Sequence, residues 1–226
     1  MDASSVTVYE FLLKGGPVMY PLLMYSIVTV SCVIERLFFW RWLLIPQRSF
    51  ADAFLTAATE NLARASLVAQ EYPSTPIHRV LTSPLKLKTP TPEMFRLAIE
   101  SALDRELVNM SQGHRILEAI ASTAPLLGLL GTVTGLIQTF SVLQIGENST
   151  APSNLQATSG IGEALITTAS GMIIALLALL ALRFFKGLQA RQEDVLIDLG
   201  NRFELIYLQT LTLTSPPHET SPAPYL

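Results

Sequence analysis

Charge is scarce in this sequence: Asp, Glu, Lys and Arg make up 15% of its 226 positions, against about a quarter in soluble domains. The deficit is local. Residues 15–34, 119–146 and 164–182 hold no charged side chain, and each run approaches the roughly 20 residues that a helix needs to cross about 30 Å of hydrocarbon. Cysteine is nearly absent too. Cys32 stands alone inside the first run, which excludes an intrachain disulfide and leaves packing as its expected role. The three histidines, His78, His114 and His218, lie far apart and outside the runs, and no Cys/His pair has metal-ligand spacing, so neither metal nor cofactor is expected. There is no Gly-x-Ser-x-Gly. Gly160-Ile-Gly162 and the Gly128/Gly131 pair lack the third glycine or the Gly-Lys-Ser/Thr ending of a phosphate loop, and a membrane enzyme is the weakest reading. A net charge of −3 with both signs dispersed gives nucleic acid no basic face.

What is present reads as an all-α integral membrane protein with three transmembrane helices. Of the 15 Lys and Arg residues, Lys14 alone precedes the first run, ten lie from Arg36 to Arg115, none falls between 119 and 182, and four follow from Arg183. Basic residues in short loops stay on the cytoplasmic side. The N-terminus is therefore expected outside and the C-terminus in the cytoplasm, with no cleavable signal peptide, since no small-residue cleavage motif closes the first apolar run.

The expected organisation is an N-terminal segment with the first span over 1–45, a cytoplasmic helical insert and stalk over 46–115, and the second span over 116–143. A periplasmic loop over 144–160, the third span over 161–183, a cytoplasmic helix over 184–211 and a disordered tail over 212–226 complete it. Gly15-Gly16-Pro17 and Pro21 open the first helix, and Glu35-Arg36 with the following Phe38, Phe39, Trp40 and Trp42 marks its exit at the headgroup level. Ser49 with Asp52 resembles a capping box, and Thr75-Pro76 an N-cap with proline in the first turn. The insert is too small for its own core and must lean on neighbouring helices. From Thr91-Pro92-Glu93 a helix is expected to run toward Leu143 with Gly113 as its one weak point. The amphipathic stretch 183–211 should pair with the stalk.

Within the spans, Pro125, Gly128, Thr132, Gly135 and Thr139 are spaced 3, 4, 3 and 4 and share a helical face. Ala164, Thr168, Gly171, Ala175, Ala178 and Leu182 follow the same rhythm in the third span. Small residues let backbones approach closely, and threonine bonds either a neighbouring helix or its own carbonyls. Helix packing and the lining of an ion path both fit the stripe. Glu163, one turn before Thr167 at the mouth of the third span, fits either a helix N-terminal acid or a proton-path group. No other carboxylate lies in the spans, so a proton carrier would have to come from a partner helix.

Ala124-Pro-Leu-Leu-Gly-Leu-Leu-Gly-Thr-Val133, Ile161-Gly-Glu-Ala-Leu-Ile-Thr-Thr-Ala169 with Gly171, and Pro21-Leu-Leu with Ile34-Glu-Arg-Leu37 resemble the signatures of the MotA/TolQ/ExbB proton-channel family, in its three-helix ExbB/TolQ branch. The resemblance implies a homo-oligomeric ring, usually a pentamer, in the inner membrane, with long cytoplasmic helical extensions. It also implies an ExbD- or TolR-like single-span partner and a TonB- or TolA-like energy transducer, the whole driven by the proton-motive force. Position by position, Thr132, Thr168 and Glu163 match the family's pore residues, with Thr139 and Thr167 beside them as further lining; Pro125, Gly128, Gly131, Gly135 and Gly171 then serve helix packing. A proline common midway along the family's third helix is replaced by Leu177. Two rivals remain: a passive oligomeric scaffold, and a subunit of the flagellar-stator branch, which would normally have four membrane helices.

Overall fold

A computed structural model describes residues 15–43, 48–146 and 153–214, and every extended element in it is a helix. The first, α1 (Met19–Leu43), follows a turn in which Gly16 adopts φ +64° and Met19 N–H donates to the Gly16 carbonyl at 3.1 Å. It runs past the expected exit at Glu35-Arg36 to Leu43, because no residue between Pro21 and Pro46 breaks a helix. Four short elements follow. Helix α2 (Arg48–Glu60) begins one residue before Ser49, so Ser49 sits inside the first turn and is not the cap of a capping box. Helix α3 (Leu62–Glu71) is capped by Asn61, whose side chain accepts from Ala63 N–H at 2.8 Å. Helix α4 (Pro76–Thr82) starts as its sequence predicts, with Thr75 Oγ1 accepting from His78 N–H at 3.3 Å and Pro76 in the first turn. A single 3-10 turn, Pro84–Lys86, leads on to the long helices.

The helix expected from Thr91 to Leu143 is two helices, α5 (Pro92–Met110) and α6 (His114–Gly146). Gly113 divides them. Its φ of +81° is left-handed, a conformation that ends a helix and that only glycine adopts readily. Helix α7 (Ser153–Thr214) then runs through the third apolar stretch and the second stalk without interruption. The loop expected over 144–160 is helical at both ends, since 144–146 belong to α6 and 153–160 to α7. Residues 147–152 and most of the expected tail, 215–226, lie outside the described residues.

The chain divides into two compact units, Met1–Phe39 with Ser111–Gly187, and Trp40–Met110 with Leu188–Leu226. Helices α1 and α7 contribute to both. The second unit has a core of aromatic rings. Phe203 of α7 is fully buried with its ring 5.0 Å from those of Phe54 in α2 and Phe95 in α5. Phe95 also stacks on Tyr207 at 4.0 Å, and the Tyr207 hydroxyl donates to the Pro90 carbonyl. The insert thus leans on the stalk, and the two stalks pair, as a segment too small for its own core requires.

One ion pair is built into this unit. Arg79 of α4 grips Glu106 of α5 with two hydrogen bonds of 2.6 Å, Nε to Oε1 and Nη2 to Oε2, and Nη1 donates to the Ser74 carbonyl at 2.8 Å. The hydrogen bond to Glu106 holds the guanidinium above its ordinary pKa despite partial burial. The partners differ in exposure, 44% for the Arg79 side chain and 6% for Glu106. Removing Arg79 strands a buried carboxylate, which is the case that costs about 3–5 kcal/mol. Removing the Glu106 charge leaves an arginine that reaches water. Arg79→Met should therefore lower the melting temperature of the purified protein in detergent clearly more than Glu106→Gln. Equal losses would mean that the carboxylate is not effectively buried.

Candidate functional site

Among the described residues three helices are long and apolar enough to cross a membrane: Met19–Arg41 in α1, His114–Ser141 in α6, and the stretch Gly160–Thr212 in α7. In the first unit α6 and α7 pack along a seam with almost no side chain between the backbones. A Cβ on Gly171 would stand 2.6 Å from the Ala124 carbonyl oxygen, and one on Gly128 3.1 Å from Thr168 Cα. A Cβ on Gly135 would meet the Gly160 carbonyl oxygen at 2.8 Å and Ala164 Cβ at 2.9 Å. Any Cβ on Gly131 would overlap the Thr167 side chain, and any on Gly160 the Thr139 hydroxyl. Backbone contact this close is the packing that small residues permit in a medium where lipid tails are as apolar as leucine.

The buried face of α6 is Ala124, Gly128, Gly131, Gly135 and Thr139, one position round the helix at two places from the face through Pro125 and Thr132. On α7 it is Gly160, Ala164, Thr167, Gly171, Ala175 and Ala178. Thr132, Thr168 and Pro125 are half-buried, at the rim of the seam. The hydroxyls divide in the same way. Thr139, 5% exposed, donates to the Gly135 carbonyl at 2.9 Å, and Thr167, 1% exposed, to the Ala164 carbonyl at 2.9 Å. Thr132 donates to the Leu129 carbonyl at 2.7 Å. Thr168 instead reaches across the seam to the Gly128 carbonyl at 2.9 Å. Each donating hydroxyl keeps acceptor lone pairs, and those of Thr132 and Thr168 lie where another molecule can approach.

Pro125 lies inside α6, so the Ala121 carbonyl lacks its usual helical donor. Gly171 approaches the backbone one residue before it, at Ala124. Glu163 is half-buried, and its carboxylate lies against Gly16 so closely that any side chain at Gly16 would overlap it. Two features escape a reading of the sequence. Gly160 extends the four-residue rhythm of Ala164 and Thr168 backward by one turn, a legible signal. The contact of Gly16 with Glu163 has none, because it joins positions far apart in the chain. The first helix is tied to α6 by a hydrogen bond between the Thr123 and Tyr25 hydroxyls at 3.2 Å, and by Cys32, whose thiol meets the Gly113 carbonyl at 3.8 Å. No group of three or more His, Cys, Asp or Glu side chains suited to a metal ion occurs among the described residues.

Three apolar helices, two of them locked by backbone contact and rimmed with hydroxyls, define a multi-span helical membrane protein. The sequence matches the MotA/TolQ/ExbB proton channel family over residues 73–196, more than half of the chain. It is 47% identical over 213 residues to the putative biopolymer transport protein ExbB-like 1 of Synechocystis sp., covering 94% of this chain and 82% of that protein. It is 34% identical over 195 residues to ExbB-like 3 of the same organism, covering 86% and 92%. With the biopolymer transport protein ExbB of Xanthomonas campestris pv. campestris it shares 38% identity over 94 residues, 41% of this chain and 36% of that one. The chain belongs to the MotA/TolQ/ExbB proton channel family, a family of channel and transport proteins.

The seam makes an internal comparison available. Gly171→Ala must push its Cβ against backbone that cannot yield, whereas a Cβ on Gly162 meets nothing within 4 Å. Overpacking of this kind costs about 1–3 kcal/mol. Thermal unfolding in detergent should find Gly171→Ala destabilised and Gly162→Ala unchanged or slightly more stable. If both behave alike, the two helices do not meet at Gly171.

Proposed function

We propose that the chain is an ExbB/TolQ-like subunit of an inner-membrane motor driven by the proton-motive force. With an ExbD- or TolR-like partner it energises outer-membrane transport or envelope maintenance. Copies of the chain form a ring, a pentamer by the family resemblance, around the partner's single membrane helices, and a TonB- or TolA-like protein transmits the work. The N-terminus is periplasmic and the C-terminus cytoplasmic, as the distribution of lysine and arginine favours.

The observation that carries the proposal is the placement of Thr132 and Thr168 at the rim of a seam that otherwise consumes its small residues in packing. Protomer-internal contacts account for Gly128, Gly131, Gly135, Gly171, Thr139 and Thr167. They leave Thr132 and Thr168 half-buried at the rim, each hydroxyl donating to a carbonyl of its own protomer, Leu129 and Gly128, and keeping acceptor lone pairs. Threonine lone pairs at that position line a path for water or a partner carboxylate, but they carry no titratable proton of their own. The moving proton is therefore assigned to the partner helix, with Glu163 at one end of the path. One proton crossing 100 mV releases about 2.3 kcal/mol.

The passive scaffold is the second reading, favoured by the Thr132 hydroxyl already bonding the Leu129 carbonyl. The two separate by proton flux in vesicles containing the ring with its partner. Thr132→Val and Thr168→Val, in variants that still assemble, should reduce flux by about tenfold, the equivalent of roughly 1.4 kcal/mol in the barrier. Unchanged flux in both would favour the scaffold.

A further inference from the structure

Glu163 lies ten residues after Ser153, where α7 begins, so the start of its own helix does not hold it. The helix start that it meets belongs to α1, whose first turn has no acid of its own. Any Cβ on Gly16 would overlap Glu163 Oε1 and Cδ and would stand 3.2 Å from its Cγ, so the carboxylate rests on the bare Cα of that glycine. The turn beneath it is fixed. Gly16 has φ +64° and Met19 N–H donates to its carbonyl at 3.1 Å, while the following Pro17 has a ring-locked φ. The positive end of α1 attracts a negative charge placed there.

This seat lies across the seam from the rim hydroxyls. Glu163 and Thr168, five residues apart in α7, point about 140° away from each other at 3.6 residues per turn. Thr123 and Thr132, nine apart in α6, point about 180° away from each other. Thr123 shares its hydrogen bond with Tyr25 of α1, and Glu163 meets Gly16 just before α1. Both contacts of the first span therefore fall on the flank opposite Thr132 and Thr168.

We propose that the turn at Gly16 is a seat that withholds Glu163 from the hydroxyl path, so that the carboxylate serves the path only after leaving it. Gly16 is then a positioning residue that acts through Glu163, and the contact between the first and third spans is autoinhibitory. The inference rests on the reading of Thr132 and Thr168 as a path lining. Glycine is required twice at this position: a side chain would occupy the carboxylate's place, and φ +64° disfavours one. An evicted Glu163 is free to turn along α7.

Proton flux in vesicles holding the ring with its partner should rise about two- to fivefold in Gly16→Ala, the share that attraction at a helix start can hold back. Gly16→Asn should act alike, because asparagine tolerates a left-handed turn yet brings the same Cβ. Gly162→Ala, whose Cβ meets nothing within 4 Å, should leave flux unchanged, and neither Gly16 variant should raise it in a Glu163→Gln background. A second readout needs no flux. In the full-length protein in detergent, dicyclohexylcarbodiimide should label Glu163, read by peptide mass spectrometry, about two- to fivefold faster in both Gly16 variants. Faster labelling beside a flux that ignores Thr132→Val and Thr168→Val would count against the path lining alone. Unchanged labelling in both Gly16 variants, unchanged or lower flux in them, or a rise that survives Glu163→Gln overturns the seat.

Discussion

Direct backbone contact between α6 and α7 is the constraint on which the membrane unit depends. Between Ala124 and Thr139 on one helix, and Gly160 and Ala178 on the other, nearly every buried position is glycine, alanine or threonine. Bulk there would force the helices apart. Lipid tails offer no hydrophobic reason for two apolar helices to associate, so contact area and close approach do the work instead. The same contact decides which hydroxyls are consumed. Thr139 and Thr167 are enclosed by Gly160 and Gly131, while Thr132 and Thr168, each one residue from a buried position, stay at the rim.

The other unit is held by different physics. Its contacts are rings and charges: Phe54, Phe95, Phe203 and Tyr207 in one cluster, and a bidentate Arg79–Glu106 pair that joins α4 to α5. These are interactions suited to water, where burying aromatic surface is favourable. One unit gives way to the other after Phe39, after Met110 and after Gly187. Helix α7 passes the boundary at Gly187 without a break, whereas the helix breaks at Gly113, just past the boundary at Met110.

Much of this is legible in the residues. The three spans follow from the absence of charge, Thr75-Pro76 and Thr91-Pro92 mark helix starts by their chemistry, and the pairing of the stalks follows from their apolar periodicity. The break at Gly113 is less legible, because glycine inside a helical pattern is tolerated and only the observed φ reveals a stop. The face of α6 is legible to within one position. Residues 124 and 125, or 131 and 132, both fall within a stripe about 100° wide, and only the partner helix chooses between them. Ser49 misleads for a similar reason, since a capping pattern is equally at home in the first turn of a helix. The docking of Glu163 on Gly16 depends on residues distant in the chain, which no local pattern encodes.

The central claim is that the seam hides Thr139 and Thr167 and presents Thr132 and Thr168 to a hydrated interior of the assembled ring. Single cysteines at these four positions, in a Cys32→Ser background, report this directly through their reaction with a small charged thiol reagent in the complex with the partner. The account predicts that Thr132→Cys and Thr168→Cys react from water while Thr139→Cys and Thr167→Cys do not. Inert thiols at 132 and 168, or reactive ones at 139 and 167, would contradict it.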